Sequence, residues 1–138
     1  MYPVEYSSLG GNADDMFNAE GTLQVIRKGL PVNMVAKAAQ ILHIGKTEFA
    51  PLIGLSIRSL QRNKEKRLTP QQSEHTLALL SVQNEAAVYF GAQDIALTWL
   101  KTPQTIFGNQ TPLSYLDTMT GIEYVQDVIN RLKHGMTA

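Results

Sequence analysis

The sequence contains 138 residues, of which 43% are hydrophobic and 17% charged, and its 12 basic side chains balance 12 acidic ones. A chain of this length forms one compact domain or two small domains that share a core. The neutral total provides no general attraction to nucleic acid or anionic lipid, and the absence of cysteine excludes disulfides, thiolate metal sites and thiol nucleophiles.

The N-terminal region has neither a basic segment followed by an apolar run nor any apolar stretch near the ~20 residues that span a bilayer. We therefore expect a cytoplasmic protein without a membrane partner. Residues 1–21 show little periodicity and include Gly10, Gly11 and the pair Asp14 and Asp15, which predicts a poorly ordered N-terminal arm.

Helix signals begin after this arm. Thr22 is expected to cap a short helix that Gly29 ends, and Pro31 is expected to open the next helix. From Met34 to Leu42 apolar residues recur at three- and four-residue steps, which indicates a helix and not a strand.

The following segment has the spacing of a helix-turn-helix. Gly54 permits a tight turn, Leu55 is expected to enter the core, and Ser56 is expected to cap the second helix. Pro51 lies inside the first helix, where it removes a backbone donor, so we expect that helix to be short or distorted.

The outward side chains of the second helix are of types that read DNA. Ile57 and Leu60 point inward, which leaves arginine and glutamine outward to bind base edges, while serine and the following basic residues suit phosphates. The predicted DNA contacts are Ser56, Arg58, Ser59, Gln61, Arg62, Lys64, Lys66 and Arg67. The alternative is the ordinary exposed surface of a structural helical hairpin.

The charge distribution indicates a local phosphate-binding face. Residues 45–68 carry six basic and two acidic side chains, a net charge of +4, so the rest of the neutral chain carries −4. A basic island on an otherwise acidic protein is typical of a nucleic-acid surface, although a solvated charged surface gives the same pattern.

Further caps divide the C-terminal half. Thr69, Pro70 and Gln72 predict the capped start of a long helix. Another helix carries Trp99, which is expected in the core, and ends before Pro103.

Two more starts follow. Thr111 with Pro112 predicts the start of one helix. Thr118 begins a second helix, with apolar residues at helical spacing, and Gly135 can end that helix in the left-handed conformation.

These C-terminal residues carry a family resemblance. The segments "WLKTP", a glycine-containing turn, "TPLSYLDT" and "HG" resemble the C-terminal toxin-binding domain of Xre-type antitoxins, a family that includes ParS and MbcA and is encoded beside RES-domain toxins. The resemblance continues upstream through "GLPV", "IGLSIRSLQR" and "LTPQQSE" and covers most of residues 29–138. Where the family often has a second glycine and an arginine in the turn, this chain has Asn109 and Gln110.

The resemblance implies an all-α fold, with an Xre/Cro-like helix-turn-helix module at residues 22–91 and a small helical toxin-binding module at 92–138. It implies a homodimer or larger toxin–antitoxin complex that binds operator DNA of its own operon and occludes the active site of a RES-domain toxin that consumes NAD. The implied toxin-binding residues are Gly108, Asn109, Arg131, Lys133, His134, Gly135, Met136 and Ala138.

No motif indicates catalysis. His43, His75 and His134 are far apart, and the chain has no paired metal-ligand spacing, glycine-rich phosphate loop or nucleophile elbow. We expect neither enzymatic activity nor a cofactor. The alternative function is a stand-alone transcription regulator whose C-terminal helices dimerise or bind an effector, and co-purification of a toxin encoded by an adjacent gene would distinguish the two.

Overall fold

The computed structural model describes residues 2–62 and 66–135. The described residues form helices and no strand, which confirms the all-α prediction. The α-helices are α1 (Pro3–Ser8), α2 (Ala19–Lys28), α3 (Met34–Ile41), α4 (Lys46–Leu52), α5 (Ile57–Arg62), α6 (Pro70–Phe90), α7 (Gln93–Leu100) and α8 (Met119–Lys133), and the 3₁₀ turns are Ala13–Met16, Thr105–Phe107 and Pro112–Tyr115. The predicted contacts Lys64, Met136 and Ala138 lie outside the described residues.

The chain divides into two compact units, Met1–Leu80 and Ser81–Ala138. The division falls within α6, so this helix contributes residues to both units. Each unit has its own buried apolar residues, and we describe them separately.

The N-terminal residues are folded, and the expectation of a poorly ordered arm is wrong. Leu9, after α1, and Met16, in the 3₁₀ turn, are fully buried. Gly21 packs so closely on this turn that a Cβ atom there would collide with the carbonyl oxygen of Asp15. Two isolated apolar anchors give no periodic signal, which is why the sequence pattern missed them.

Two expected helix starts are also wrong. Asn18, and not Thr22, caps α2 by accepting a 2.8 Å hydrogen bond from the Gly21 N–H, and Thr22 is buried within the helix. Pro31 forms an isolated antiparallel bridge with Arg67, and α3 begins only at Met34. Gly29 does end α2 as predicted, with φ of 88°.

Residues 29–32 and 66–68 form a backbone clamp at the base of the helix-turn-helix. The Leu68 N–H donates to the Leu30 carbonyl at 2.8 Å, and the Val32 N–H donates to the Lys66 carbonyl at 2.9 Å. A Cβ atom at Gly29 would collide with the Leu68 carbonyl oxygen, so the clamp needs glycine there.

A buried serine completes the clamp. The Ser73 hydroxyl, on α6, accepts a 2.9 Å hydrogen bond from the Leu30 N–H and donates to the Thr69 carbonyl at 2.8 Å. Ser73 has no exposed surface, so the hydroxyl is the described partner of a buried backbone donor.

The helix-turn-helix has the predicted local structure. α4 is short and contains Pro51. Gly54 has φ of 71°, Leu55 is buried, and the Ser56 hydroxyl caps α5 by accepting from the Ser59 N–H at 3.0 Å. The predicted capping box of α6 is also present, since Thr69 and Gln72 each accept the backbone N–H of the other at 3.1 and 3.0 Å.

The second unit packs around Phe107, which is fully buried among Trp99, Tyr115 and Tyr124. The two tyrosine hydroxyls also donate 3.0 Å hydrogen bonds to the carbonyls of Phe107 and Ile106. The loop between α7 and α8 is thereby fixed by aromatic packing and by two hydrogen bonds.

α8 covers this loop with an apolar face. Thr118 caps the helix through the Gly121 N–H at 2.9 Å. Of the apolar residues at helical spacing, Ile122, Val125 and Ile129 are buried as predicted, whereas Leu132 is half-buried, and Val128 is buried as well. Gly135 follows the helix with φ of 71°, as expected.

Replacing Ser73 tests the clamp. Ser73→Ala leaves the buried Leu30 N–H without its acceptor, so the free energy of unfolding should fall by about 1–3 kcal/mol in urea denaturation. Ser8→Ala is the matched control, because Ser8 makes the same bond to the carbonyl four residues earlier but is exposed. If both variants lose the same free energy of unfolding, the hydrogen bond from Leu30 does not contribute to stability.

Gly121→Ala tests the packing of the second unit. Alanine normally stabilises a helix by up to about 1 kcal/mol relative to glycine, but here its Cβ would collide with the Tyr115 carbonyl oxygen. We therefore expect a destabilisation of about 1–3 kcal/mol by thermal unfolding. Thr120→Ala is the control, because Thr120 is the neighbouring residue and is exposed. If Gly121→Ala instead stabilises the protein, Gly121 does not pack closely on the Tyr115 carbonyl.

Candidate functional site

The outward face of α5 matches the prediction. Arg58, Gln61 and Arg62 are all exposed, whereas Ile57 and Leu60 are half-buried. Because the turn at residues 53–56 and the cap at Ser56 fix the start of the helix, this set of side chains is presented from a defined backbone.

The two serines of the predicted set hydrogen-bond each other. The Ser56 hydroxyl donates to the Ser59 hydroxyl at 2.9 Å while accepting the Ser59 N–H. Their first role is to cap α5, and a contact of either with DNA stays a prediction.

Arg67 has a structural role that the sequence did not indicate. Its Nη1 atom donates a 2.8 Å hydrogen bond to the Gly29 carbonyl, on the opposite side of the clamp. The partners are 38 residues apart, so no local pattern could have identified the contact. Lys66 is exposed, and its backbone carbonyl is held by Val32.

The described carboxylates form no salt bridge with the exposed cations of this face. A salt bridge in the second unit joins Arg131 to Asp127. Arg58, Arg62 and Lys66 therefore form no salt bridge with any described residue, which leaves their positive charge available to a phosphate backbone.

In the second unit, the predicted turn is held in an unusual conformation. Gly108 and Asn109 both have φ of 63°, and both are exposed. Hydrogen bonds of 3.0 Å close the turn, from the Asn109 N–H to the Gln104 carbonyl and from the Gln104 N–H to the Gln110 carbonyl. Asparagine is the residue that best replaces glycine at positive φ, so Asn109 preserves the backbone of the turn.

The other predicted toxin contacts lie at the end of α8. Lys133, His134 and Gly135 are exposed, and Arg131 forms a 2.9 Å salt bridge with Asp127. A groove of about 230 Å³ separates the last turns of α8 from the start of the loop, with walls at Leu132 and residues 104–106. None of the hydrogen bonds found between described residues links Gly108 or Asn109 to the end of α8.

We expected Trp99 in the core, but its side chain is only half-buried. It contacts Phe90 and Phe107 and lines a mostly apolar groove of about 380 Å³ with Ile95 and Thr98. Ile95, four residues before Trp99 on the same helix face, is 51% exposed, so this face of α7 forms part of the surface. The sequence pattern missed this exposed apolar groove.

The described residues contain no cluster of three or more potential metal ligands. None of the described helices combines the length and apolar character needed to cross a membrane.

Two family matches together cover most of the chain. Residues 22–81 match the antitoxin Xre-like helix-turn-helix domain. Residues 85–135 match the antitoxin Xre/MbcA/ParS C-terminal toxin-binding domain. The first match contains the α4–α5 face, and the second contains the turn at Gly108 and the end of α8.

Whole-chain relatives agree with these matches. Antitoxin Xre of Yersinia enterocolitica is 34% identical over 123 residues, which cover 86% of this chain and 83% of that protein. Antitoxin Xre of Photorhabdus laumondii is 32% identical over 117 residues, which cover 83% and 79%. Both relatives are named as antitoxins, which fits a chain that is not an enzyme. On two domain matches in the expected order and two relatives aligned over most of their length, this protein belongs to the Xre family of antitoxins.

Proposed function

We propose that this antitoxin binds operator DNA of its own operon through α5 and neutralises a RES-domain toxin through its second unit. The DNA-binding part rests on the exposure of Arg58, Gln61 and Arg62 on one capped helix. The two arginines form no salt bridge with described residues. The match of residues 85–135 to a toxin-binding domain supports the other part.

The outward side chains of α5 reach a few base pairs. The described residues Ile57–Arg62 span about 9 Å, which corresponds to two or three base pairs in the major groove. Arginine can recognise guanine and glutamine can recognise adenine, while Lys66 and the +4 segment contact phosphates. We expect specific binding to use two copies on two half-sites, as in other helix-turn-helix proteins.

The resemblance supports a RES-domain toxin as the partner, since the resembling family is encoded beside such toxins. We propose that the end of α8 and the residues after it reach the active site of such a toxin and exclude NAD from it. The exposed side chains of Lys133 and His134 and the left-handed Gly135 are consistent with a chain that leaves the helix toward a partner.

The DNA contacts should separate into two kinds. Gln61→Ala or Arg62→Ala should relax sequence preference at one operator position by about 1–3 kcal/mol, because each removes a base contact. Lys66→Ala should weaken binding to all sequences and lower the slope of log affinity against log salt by about 1. Gel-shift titrations at several salt concentrations measure both effects.

Lys133→Ala serves as the control for charge, since it removes an exposed cation from the second unit. Its affinity for operator DNA should equal that of the unaltered chain. If none of the α5 variants changes sequence preference, or if Lys133→Ala weakens binding as much as Lys66→Ala, α5 is not the recognition helix.

The toxin contact is tested by removing residues 136–138. The shortened chain should retain its melting temperature and its DNA affinity, because the clamp and both cores are unchanged, but protection of cells from the toxin and of their NAD should be lost. Ile95→Asp provides the comparison, because it places a charge in the exposed groove beside Trp99. Full protection by the shortened chain, with loss of protection for Ile95→Asp, would assign toxin binding to the groove instead.

A further inference from the structure

The most exposed aromatic side chain of the described chain lies outside both predicted sites. Phe17 is 87% exposed, directly before α2, and Leu23 on that helix is 42% exposed. Neither residue belongs to the basic face of α5 or to the second unit. An exposed phenylalanine beside an exposed leucine is typical of an interaction surface.

Phe17 lies at one end of a groove of about 450 Å³ in the first unit. The floor contains Thr22 and Ile26, which are buried, and the rim contains Leu23. The groove also contacts Ala19, so its residues follow steps of three and four along one face of α2. At its margin, burial raises the pKa of the Tyr2 phenol, and the negative charges of Glu74 and Glu5 raise it further.

A projecting side chain and a groove on the same face are what a two-fold symmetric interface requires. In such an interface the same surface is used twice, so Phe17 of each copy can enter the groove of the other. The groove volume of about 450 Å³ is ample for a phenyl ring. A partner with a different surface would explain the groove but not the exposed phenylalanine beside it.

The charges along α2 favour one relative direction of the α2 helices in the two copies. Asp14, Asp15 and Glu20 lie at its N-terminal end, while Arg27 and Lys28 lie at its C-terminal end. Glu20, Leu23 and Arg27 share one face of the helix. Two α2 helices that cross antiparallel near Leu23 place Glu20 of each copy opposite Arg27 of the other, whereas a parallel arrangement opposes like charges.

We propose that the Phe17 groove and the exposed face of α2 bind the same surface of a second copy of this chain. The helices then run antiparallel, Phe17 fills the opposite groove, and the Glu20 and Arg27 side chains pair across the two-fold axis. This deepens the proposed two-copy DNA complex by naming its contact face, and it concerns self-association without DNA or toxin.

The interface is small, which sets the strength of the dimer. Each aromatic side chain buries roughly 150–250 Å². Two phenylalanines with the groove walls they cover give on the order of 600–1,000 Å², below the ~1,200–2,000 Å² of stable standard interfaces. The dimer should therefore dissociate on dilution and be strengthened by the second half-site on DNA.

The first experiment measures the mass of the full chain by sedimentation across a dilution series. The unaltered chain should convert from monomer to dimer with concentration, and Phe17→Ser should weaken dimerisation by roughly tenfold or more. Val88→Ser is the matched control, because Val88 is an apolar side chain of the second unit that is 76% exposed. Since both side chains are exposed, both variants should keep the melting temperature of the unaltered chain.

The second experiment exchanges the charges. Glu20→Arg and Arg27→Glu should each weaken the dimer, because each opposes like charges, and the double variant should regain most of the affinity. Recovery in the double variant is not expected if either residue acts only on the stability of α2.

Three results would overturn the proposal. The unaltered chain could stay monomeric at millimolar concentration, Phe17→Ser could dimerise as well as Val88→Ser does, or the double charge variant could remain as weak as the single ones. A monomeric Phe17→Ser that still binds single half-sites would leave the assignment of α5 intact. A Phe17→Ser variant with unchanged mass but no co-purifying toxin would assign the groove to the toxin.

Discussion

The close approach of Gly29 to Leu68 is the constraint on which the first unit depends. The chain leaves this point for α3, α4 and α5 and returns to it at Lys66, so the whole helix-turn-helix is a loop closed by backbone hydrogen bonds. The Ser73 hydroxyl links this loop to α6 by accepting a hydrogen bond from the Leu30 N–H. The clamp therefore fixes the base of the helix-turn-helix, and Lys66 and Arg67 are positioned by its backbone contacts.

Local chemistry explains what the sequence predicted well. The caps at Ser56, Thr69 and Thr118 satisfy backbone donors within three residues of themselves, so a local pattern is enough to predict them. The same holds for Gly54 and Gly135, whose positive φ is a property of one residue. These signals were sufficient to predict the helix-turn-helix, the outward side of α5 and both ends of α8.

Contacts between distant residues explain the errors. Pro31 has the local signature of a helix start, but its neighbours pair with residues 66–68, and that pairing prevents a helix until Met34. The hydrogen bond from the Arg67 guanidinium to the Gly29 carbonyl was likewise missed, while the predicted phosphate contact of Arg67 stays a prediction. Trp99 illustrates the same limit, since an apolar residue is expected to be covered but the sequence does not say whether this chain or a partner covers it.

The turn at Asn109 shows how a departure from a family pattern can preserve a backbone while changing its surface. A left-handed residue is required there because the Asn109 N–H must reach the Gln104 carbonyl, and asparagine accepts that conformation at little cost. Glycine would offer a partner only backbone, whereas asparagine adds an exposed amide that can both donate and accept. Because Phe107 is buried and its carbonyl accepts a hydrogen bond from the Tyr115 hydroxyl, the backbone that carries this amide is rigid. A partner that contacts the turn would therefore meet an exposed amide on a rigid backbone.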